Sequence, residues 1–395
     1  MKQRVPFYYN EFGCITSECR DNCCIGGWEI DIDDETYERY NNMTGELKHK
    51  IIDSITQNED EEYCFKLCDG KCPMLDDNGL CEIHKNLGED YLGVVCKQFP
   101  RYSEYYGTIK ESGIGLACEE AARIILSENR PFSMETAACD EQYEPSSEYD
   151  SSFALQIFAA RDSVFKILAE ESLSIHEKLI VILDMGSKIQ QCINTDEYDN
   201  IKSVVNDYLK EGITHTLEET RNLSDSGQFE DISLQQGIRQ ILYPYEEMEV
   251  LNPEWDVILK DIIDSLFEQM NDEEYNILNE EFGTYMVSRA YEYRQLLEYL
   301  VFRYFAKSIY DYDFLGKCQM LVTNFFVIRQ MDIIRWLDNH REYSFKDRMD
   351  VVHIFSRQVE YSEDNIENLY EDFIFDDIFK TDSLIAILWI DSENI

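Results

Sequence analysis

Basic residues are scarce in this chain. Only 35 Lys and Arg stand against 80 Asp and Glu, a formal net charge of −45. A nucleic-acid binder needs a basic face that displaces counterions, and docking on anionic lipid needs the same sign of charge. Neither nucleic acid nor membrane is therefore an expected partner. No run of about 18 or more apolar residues occurs, which excludes a transmembrane helix. The opening MKQRVPFYYNEFGC lacks the apolar stretch of a secretion signal, so the expected location is the cytoplasm. Familiar chemistry is missing as well. There is no G-x-G-x-x-G after a strand, no P-loop, no H-E-x-x-H and no G-x-S-x-G, and no short repeat or low-complexity tract. Disorder is excluded by 26 Tyr and 21 Phe set in regular apolar periodicity.

At 395 residues the chain suits about two domains. What it has in excess, and in one place, is cysteine. Ten of its 13 cysteines precede residue 119. Eleven of its 17 glycines precede residue 131, which fits turns and close backbone approach better than long regular elements. A chain of this size buries enough core to fold without cross-links, and thiols stay reduced in the cytoplasm. Metal is thus favoured over disulfides.

The expected architecture is mainly α. A Cys-rich metal-binding domain of short irregular elements (1–130) and a linker (131–150) precede an all-α helical domain (151–395). Asp33 or Asp34 should cap a helix that runs to about Ile55. A second helix should span Cys118 to about Ser127, with Ala121, Ile124 and Ile125 on one face. Beyond the linker, Phe153, Ile157, Val164 and Leu168 follow helical spacing, and Ser174-x-x-Glu177 forms a capping box. Further helices are expected near 197–210, 228–242, 254–270, 273–308, 314–339 and 346–360. Gly212 is expected to end a helix after Glu211, and Pro244 and Pro253 to bracket a loop.

Thiolates are soft ligands that select zinc, Cu(I) or iron–sulfur clusters. Setting aside Cys64, Cys68, Cys139, Cys192 and Cys318 leaves eight: Cys14, Cys19, Cys23, Cys24, Cys72, Cys81, Cys96 and Cys118. They would supply two four-thiolate sites, one cluster plus a zinc, or one cluster with spare thiols. Adjacent Cys23 and Cys24 do not easily share one tetrahedral zinc, whereas they can serve different irons, so the spacing favours iron–sulfur. Cys64-x3-Cys68-x3-Cys72 is one residue too long for the Cys-x3-Cys-x2-Cys radical triad, and its spacing of four matches one helical face. His84, three residues after Cys81, is a further possible ligand but reads more simply as a surface histidine. Gly113-x-Gly115 lacks a strand–helix setting and indicates nothing by itself.

One segment resembles a known family. Cys72, Pro73, Leu75, Gly79, Leu80, Cys81 and Ile83, then Leu87 to Leu92, Cys96, Phe99, Pro100 and Arg101, are similar to the FliB-type flagellin lysine-N-methylases. They also resemble the broader group of Cys-rich zinc- or iron-chelating proteins. Leu116-Ala-Cys118-Glu-Glu-Ala-Ala-Arg123 and the entry Cys23-Cys24-x-x-Gly27-Trp28 fit the same pattern. Leu300-Val-Phe-Arg303, Ile334-Arg-Trp336, Phe355-Ser-Arg357 and Glu360 are similar to the family's C-terminal half. The family's N-terminal cysteine spacing is tighter than Cys14-x4-Cys19, which leaves open which of Cys14, Cys19, Cys23 and Cys24 are ligands.

The resemblance implies S-adenosylmethionine-dependent methylation of flagellin surface lysines, with a [4Fe-4S] cluster (one or two, zinc being the alternative metal). A lysine amine must lose its proton before attack. An acidic surface would attract a lysine-bearing protein, and tyrosines would suit a sulfonium by cation–π contact. Glu89, Asp90, Tyr91 and Glu119 lie in the motif segments and are the weak catalytic candidates, although capping, turn formation or contact to a cluster explains each more simply. A non-catalytic, metal-stabilised assembly factor and an electron-transfer module are the alternative functions.

Overall fold

The fold was taken from a computed structural model in which residues 1–20, 23–25, 30–58, 61–141, 149–208, 212–225 and 232–393 are described. The first third is built on strands as well as short helices. In order come β1 (Lys2–Pro6), α1 (Asp34–Asn42), α2 (Glu46–Asp53), β2 (Ile55–Gln57), β3 (Tyr63–Phe65), α3 (Glu82–Leu87), α4 (Val94–Gln98), β4 (Arg101–Tyr106), β5 (Ile109–Ile114), α5 (Glu119–Leu126) and β6 (Met134–Ala138). Four of the strands form one sheet in the order β4-β5-β1-β6. β4 and β5 make a hairpin turning at Gly107, whose φ of 61° suits glycine. β1 runs parallel to β5, with Lys2 opposite Ile109 and Arg4 opposite Glu111, and antiparallel to β6. β2 and β3 form a separate two-stranded ribbon.

The remainder is helical: α6 (Ser151–Ala169), α7 (Ile175–Asn194), α8 (Ile201–Asp207), α9 (Ile213–Asp225), α10 (Leu234–Glu246), α11 (Pro253–Ile262), α12 (Asp272–Met286), α13 (Ala290–Tyr304), α14 (Ser308–Asp311), α15 (Phe314–Asp338), α16 (Phe345–Val359), α17 (Glu363–Phe375) and α18 (Thr381–Glu393). α15 is the axis. It is buried on every side from Gly316 to Ile334, as expected of a helix without a solvent face. α7, α13, α16 and α11 pack around it. None of the helices among the described residues is long and apolar enough to cross a membrane.

Several expectations change. The helix expected from Asp33 to Ile55 keeps its cap, because the Asp33 carboxylate accepts from Thr36 N at 2.9 Å. It breaks at Gly45, whose φ of 110° lies outside the helical range, and resumes as α2. The segment 131–150 carries β6, which gives the sheet its fourth strand. Cys64 sits in β3 opposite Thr56, so its spacing to Cys68 is not helical. Pro244 lies inside α10, where its ring is buried and only one late backbone bond is forgone. The stretch 273–308 is interrupted after Met286 and divides chiefly into α12 and α13. The Ser174 capping box is present as expected. Glu211 lies outside the described residues.

The packing also divides differently from the sequence. A small core of Ile30, Ile32, Tyr40, Ile51, Phe65, Cys72, Met74 and Ile83 stands by itself. The sheet and α5 instead share the large helical core through Tyr8, Tyr106, Ile114, Leu116 and Ile125. Their bond to the helices is partly ionic. Arg161 of α6 donates to Glu111 of β5 through both terminal nitrogens, at 2.6 and 2.7 Å, with side-chain exposures of 0 and 3%. Deeper in the body, Asp391 is 2.7 Å from His176 Nε2 and accepts from Asn279, which in turn accepts from Arg329.

Breaking one partner of a buried pair strands the other charge, so Arg161→Met should cost roughly 3–5 kcal/mol in urea unfolding, and Arg161→Met with Glu111→Leu should recover most of it. An Arg161→Met curve superimposed on the wild type would contradict that role. Burial alone would raise the Asp391 carboxyl, but Arg329 and His176 outweigh it and bring its pKa down to about 2. The unfolded value of about 3.9 is higher, so this carboxylate contributes stability above about pH 4 that is lost as the pH falls towards 2. Asp391→Asn should flatten that acid limb; an acid limb of unchanged steepness would refute it.

Candidate functional site

The thirteen cysteines are all free thiols. Cys72 is part of the small core, and Cys24, Cys81 and Cys96 pack on it, with Cys23 within electrostatic reach of Cys72 and Cys96. Cys72 leads into Met74 of the small core, and its N–H donates to Cys24 O at 2.8 Å, which ties the 72 segment to the Cys23-Cys24 turn. Cys81 bridges back to Leu75 and caps α3, while Cys96 lies within α4. Burial pushes the Cys72 thiol up to about 12, with Cys96, Cys81 and Cys23 adding to it. Cys96 is likewise pushed up to about 12 by burial, then by Cys23 and Cys81. The Cys24 hydrogen bond, followed by burial, lifts Cys23 well above the usual thiol range, against a small opposing effect of Arg357. Thiols whose pKa burial raises, as at Cys72 and Cys96, are poor nucleophiles. They become good ligands once a cation replaces their protons. In chemistry and number they fit a metal group, although among the described residues no three His, Cys, Asp or Glu side chains close around a point that would hold a single ion.

The remaining selected cysteines are arranged more loosely. Cys118 caps α5, and burial takes its thiol to about 11, eased by the N–H groups of Ala121 and Glu120 and raised by Cys23 and Cys14. Cys14 is exposed. Cys19 points its thiol at Glu119, 3.7 Å away. Of those set aside, Cys64 is buried in β3, Cys68 is exposed, and Cys318 is buried in α15 against Gly186. His84 is exposed on α3. Gly27 and Trp28 lie outside the described residues.

Glu119 joins this region, whereas Glu89, Asp90 and Tyr91 serve it mainly through their backbones. Arg20 Nε donates to Glu119 at 2.7 Å and a second Arg20 nitrogen lies 2.8 Å from Asp350 of α16. The cysteine loop is thereby held against two helices. Burial would raise the Glu119 carboxyl, but Arg20 lowers it overall. Glu89 and Asp90 are exposed on a short 3-10 turn. The Asp90 carbonyl accepts from Lys97 and Arg39, and the Tyr91 carbonyl accepts from Tyr40 Oη at 2.8 Å.

Behind the thiols stands a cage that sequence reasoning did not assign. The Arg303 guanidinium of α13 lies 4.7 Å from the ring centre of Tyr102, 5.4 Å from Tyr304, 5.7 Å from Tyr361 and 6.0 Å from Tyr299. Its Nε is 3.2 Å from Glu360 Oε2, which also accepts from Tyr299 Oη at 2.9 Å and Tyr304 Oη at 2.8 Å. Glu360 Oε1 and Tyr102 Oη, both buried, have no hydrogen-bond partner among the described residues. The floor is Gly113-x-Gly115. A Cβ on Gly113 would meet Tyr102 Oη at 2.4 Å, and one on Gly115 would meet Tyr361 Oη at 2.9 Å. Gly115 N donates to Pro100 O, and Gly115 O accepts from Cys118 N. The cage therefore sets the backbone that carries Cys118 and that at Pro100, four residues beyond Cys96. The usable signal was the pair of glycines together with Arg303 and Glu360, each already present in a motif segment. A groove of about 620 Å³ among Gln190, Asp313, Phe373 and Lys380 holds none of these residues.

The chain is 32% identical over 129 residues to a lysine-N-methylase of Salmonella typhimurium, a stretch that is 31% of this chain and 32% of that protein. A lysine-N-methylase of Salmonella choleraesuis matches to the same extent. The flagellar biosynthetic protein FliU of Salmonella muenchen is 31% identical over 129 residues, 76% of its length. The match thus spans about a third of the two methylases' length. No solved structure matches the chain. Residues 161–387, more than half of the chain, match the model of the FliB lysine N-methylase C-terminal domain, and the protein belongs to that family.

Proposed function

We propose that the protein transfers methyl groups from S-adenosylmethionine to surface lysines of flagellin, with an iron–sulfur group held by its thiols. Family membership carries the methyl transfer. The names of the relatives, lysine-N-methylase and flagellar biosynthetic protein, support the flagellar setting. The packing of Cys24, Cys72, Cys81 and Cys96 on one small core supports a thiol-held metal group. Four thiolates can hold zinc or an iron–sulfur cluster, and adjacent Cys23 and Cys24, which can serve different irons, favour iron–sulfur. Cys14, Cys19, Cys23 and Cys118 are the reserve from which a second cluster would draw.

When bound, S-adenosylmethionine supplies an electrophilic methyl group. The amine nitrogen forms a bond to that carbon as the carbon–sulfur bond breaks and its electron pair returns to sulfur. The chain's own part begins with attraction, because a net charge of −45 draws a lysine-rich surface inward. Glu119, kept ionised by Arg20 at the edge of the thiols, is the acidic candidate placed to hold a lysine ammonium. The Arg303 cage keeps the Gly115–Cys118 segment fixed while this happens.

Anaerobically purified protein, given methyl-labelled S-adenosylmethionine and flagellin monomers, should label flagellin lysines. Cys72→Ser and Cys96→Ser should each abolish the label together with bound iron, and Cys68→Ser should retain both. Iron-replete wild type that leaves flagellin unlabelled would overturn the methyl transfer.

A further inference from the structure

We propose that the groove beside the end of α17 docks a lysine-bearing, partly apolar segment of the protein substrate, apart from the thiols. The inference rests on the flagellin reading above and deepens it. Ile374 and Phe375, consecutive at the end of α17, are 72 and 78% exposed, the two highest values among the large apolar residues described. Beside them lies the groove of about 620 Å³, lined by Leu315, Phe373 and Ile374 and edged by Asp313 and Asp382. Adjacent apolar side chains at the lip of a groove leave water when a partner arrives, and an aromatic anchor there carries a large share of the binding.

The walls are held in place by the fold itself. Gln190 Oε1 of α7 accepts from Phe314 N and Leu315 N, at 2.8 and 3.1 Å, at the start of α15. Gln319 Nε2 of α15 donates to Phe379 O at 2.8 Å and to Phe373 O at 3.3 Å, which fixes the turn between α17 and α18. A preformed groove has little order to lose on binding.

Charge selects the occupant. From Glu363 to Asp382 there are eight carboxylates and one lysine. That lysine, Lys380, is paired with Asp377. A second hollow of about 220 Å³, between Met248 and Leu369, lies along the same helix and carries Glu371 and Asp372. Burial, then the like charges of Asp376 and Glu371, push the Asp372 carboxyl up. A cationic segment relieves that crowding. A second copy of this chain, itself at −45, would add to it. The groove contains no cysteine and no residue of the Arg303 cage, so docking there acts on capture of the substrate and not on the methyl transfer itself.

The experiment titrates flagellin monomers into anaerobically purified full-length protein by calorimetry and measures methyl-transfer kinetics on the same monomers. Ile374→Ser combined with Phe375→Ser removes two solvent-facing side chains, so the melting temperature should stay near that of the wild type. This variant should bind flagellin about tenfold more weakly and show a raised KM with kcat unchanged. Asp382→Asn should weaken binding by less, and added salt should weaken binding of the wild type. Unchanged affinity in the double variant overturns the proposal. So does a wild type that sediments as a dimer and a double variant that sediments as a monomer with the same affinity for flagellin, since the face then joins two copies. A wild type that binds flagellin without methylating it overturns the transfer, and the titration alone then decides the docking. A wild type that neither binds nor labels flagellin removes the substrate reading, and this inference with it.

Discussion

A guanidinium can be withdrawn from water only where carboxylate, hydroxyl and aromatic groups replace what water supplied. Arg303 meets that condition with Glu360, the Tyr299 hydroxyl and four tyrosine rings, and the junction of the two halves depends on it. Tyr102 comes from the sheet, Tyr299 and Tyr304 from α13 and its end, and Tyr361 from the end of α16. Gly113 and Gly115 lack side chains where the rings arrive. Because Gly115 is bonded to Pro100 and to Cys118, the same contact positions the backbone beside two of the candidate ligands.

Other buried charges obey the same rule. Arg161 and Glu111 join the sheet to α6. In the helical body, Arg348 is 2.6 Å from Asp332 and 3.1 Å from Glu292, while the Tyr293 and Tyr343 hydroxyls also donate to Asp332. Apolar stripes can slide along one another, but such pairs fit one register only. In a chain so rich in acidic residues, buried arginines give the helices a fixed arrangement that repulsion at the surface would not.

Local features were legible in the sequence. Asp33 and Ser174 cap helices, Ala121, Ile124 and Ile125 are buried on α5, and Phe153, Ile157, Val164 and Leu168 face the core. Contacts between distant segments were not. β1 finds its parallel partner β5 more than a hundred residues later, and β6 lies in a stretch whose prolines and polar residues read as a linker. Gly45 was readable as a turn residue, yet the apolar spacing on both sides suggested one continuous helix. For the site, spacing selected eight cysteines, of which folding packs Cys24, Cys72, Cys81 and Cys96 on the small core. The cage needed Tyr102, Arg303 and Glu360 to meet across the fold, which no local pattern displays.

The proposed metal group would be held by thiols that the Arg20–Asp350 and Arg303 contacts tie to the helical body, unlike those of an isolated zinc module. X-ray absorption at the iron and zinc edges of anaerobically purified protein tests this most directly. Iron with sulfur neighbours and a second shell of iron scatterers is the predicted result. A zinc-only sample with four sulfur neighbours and no iron would contradict it.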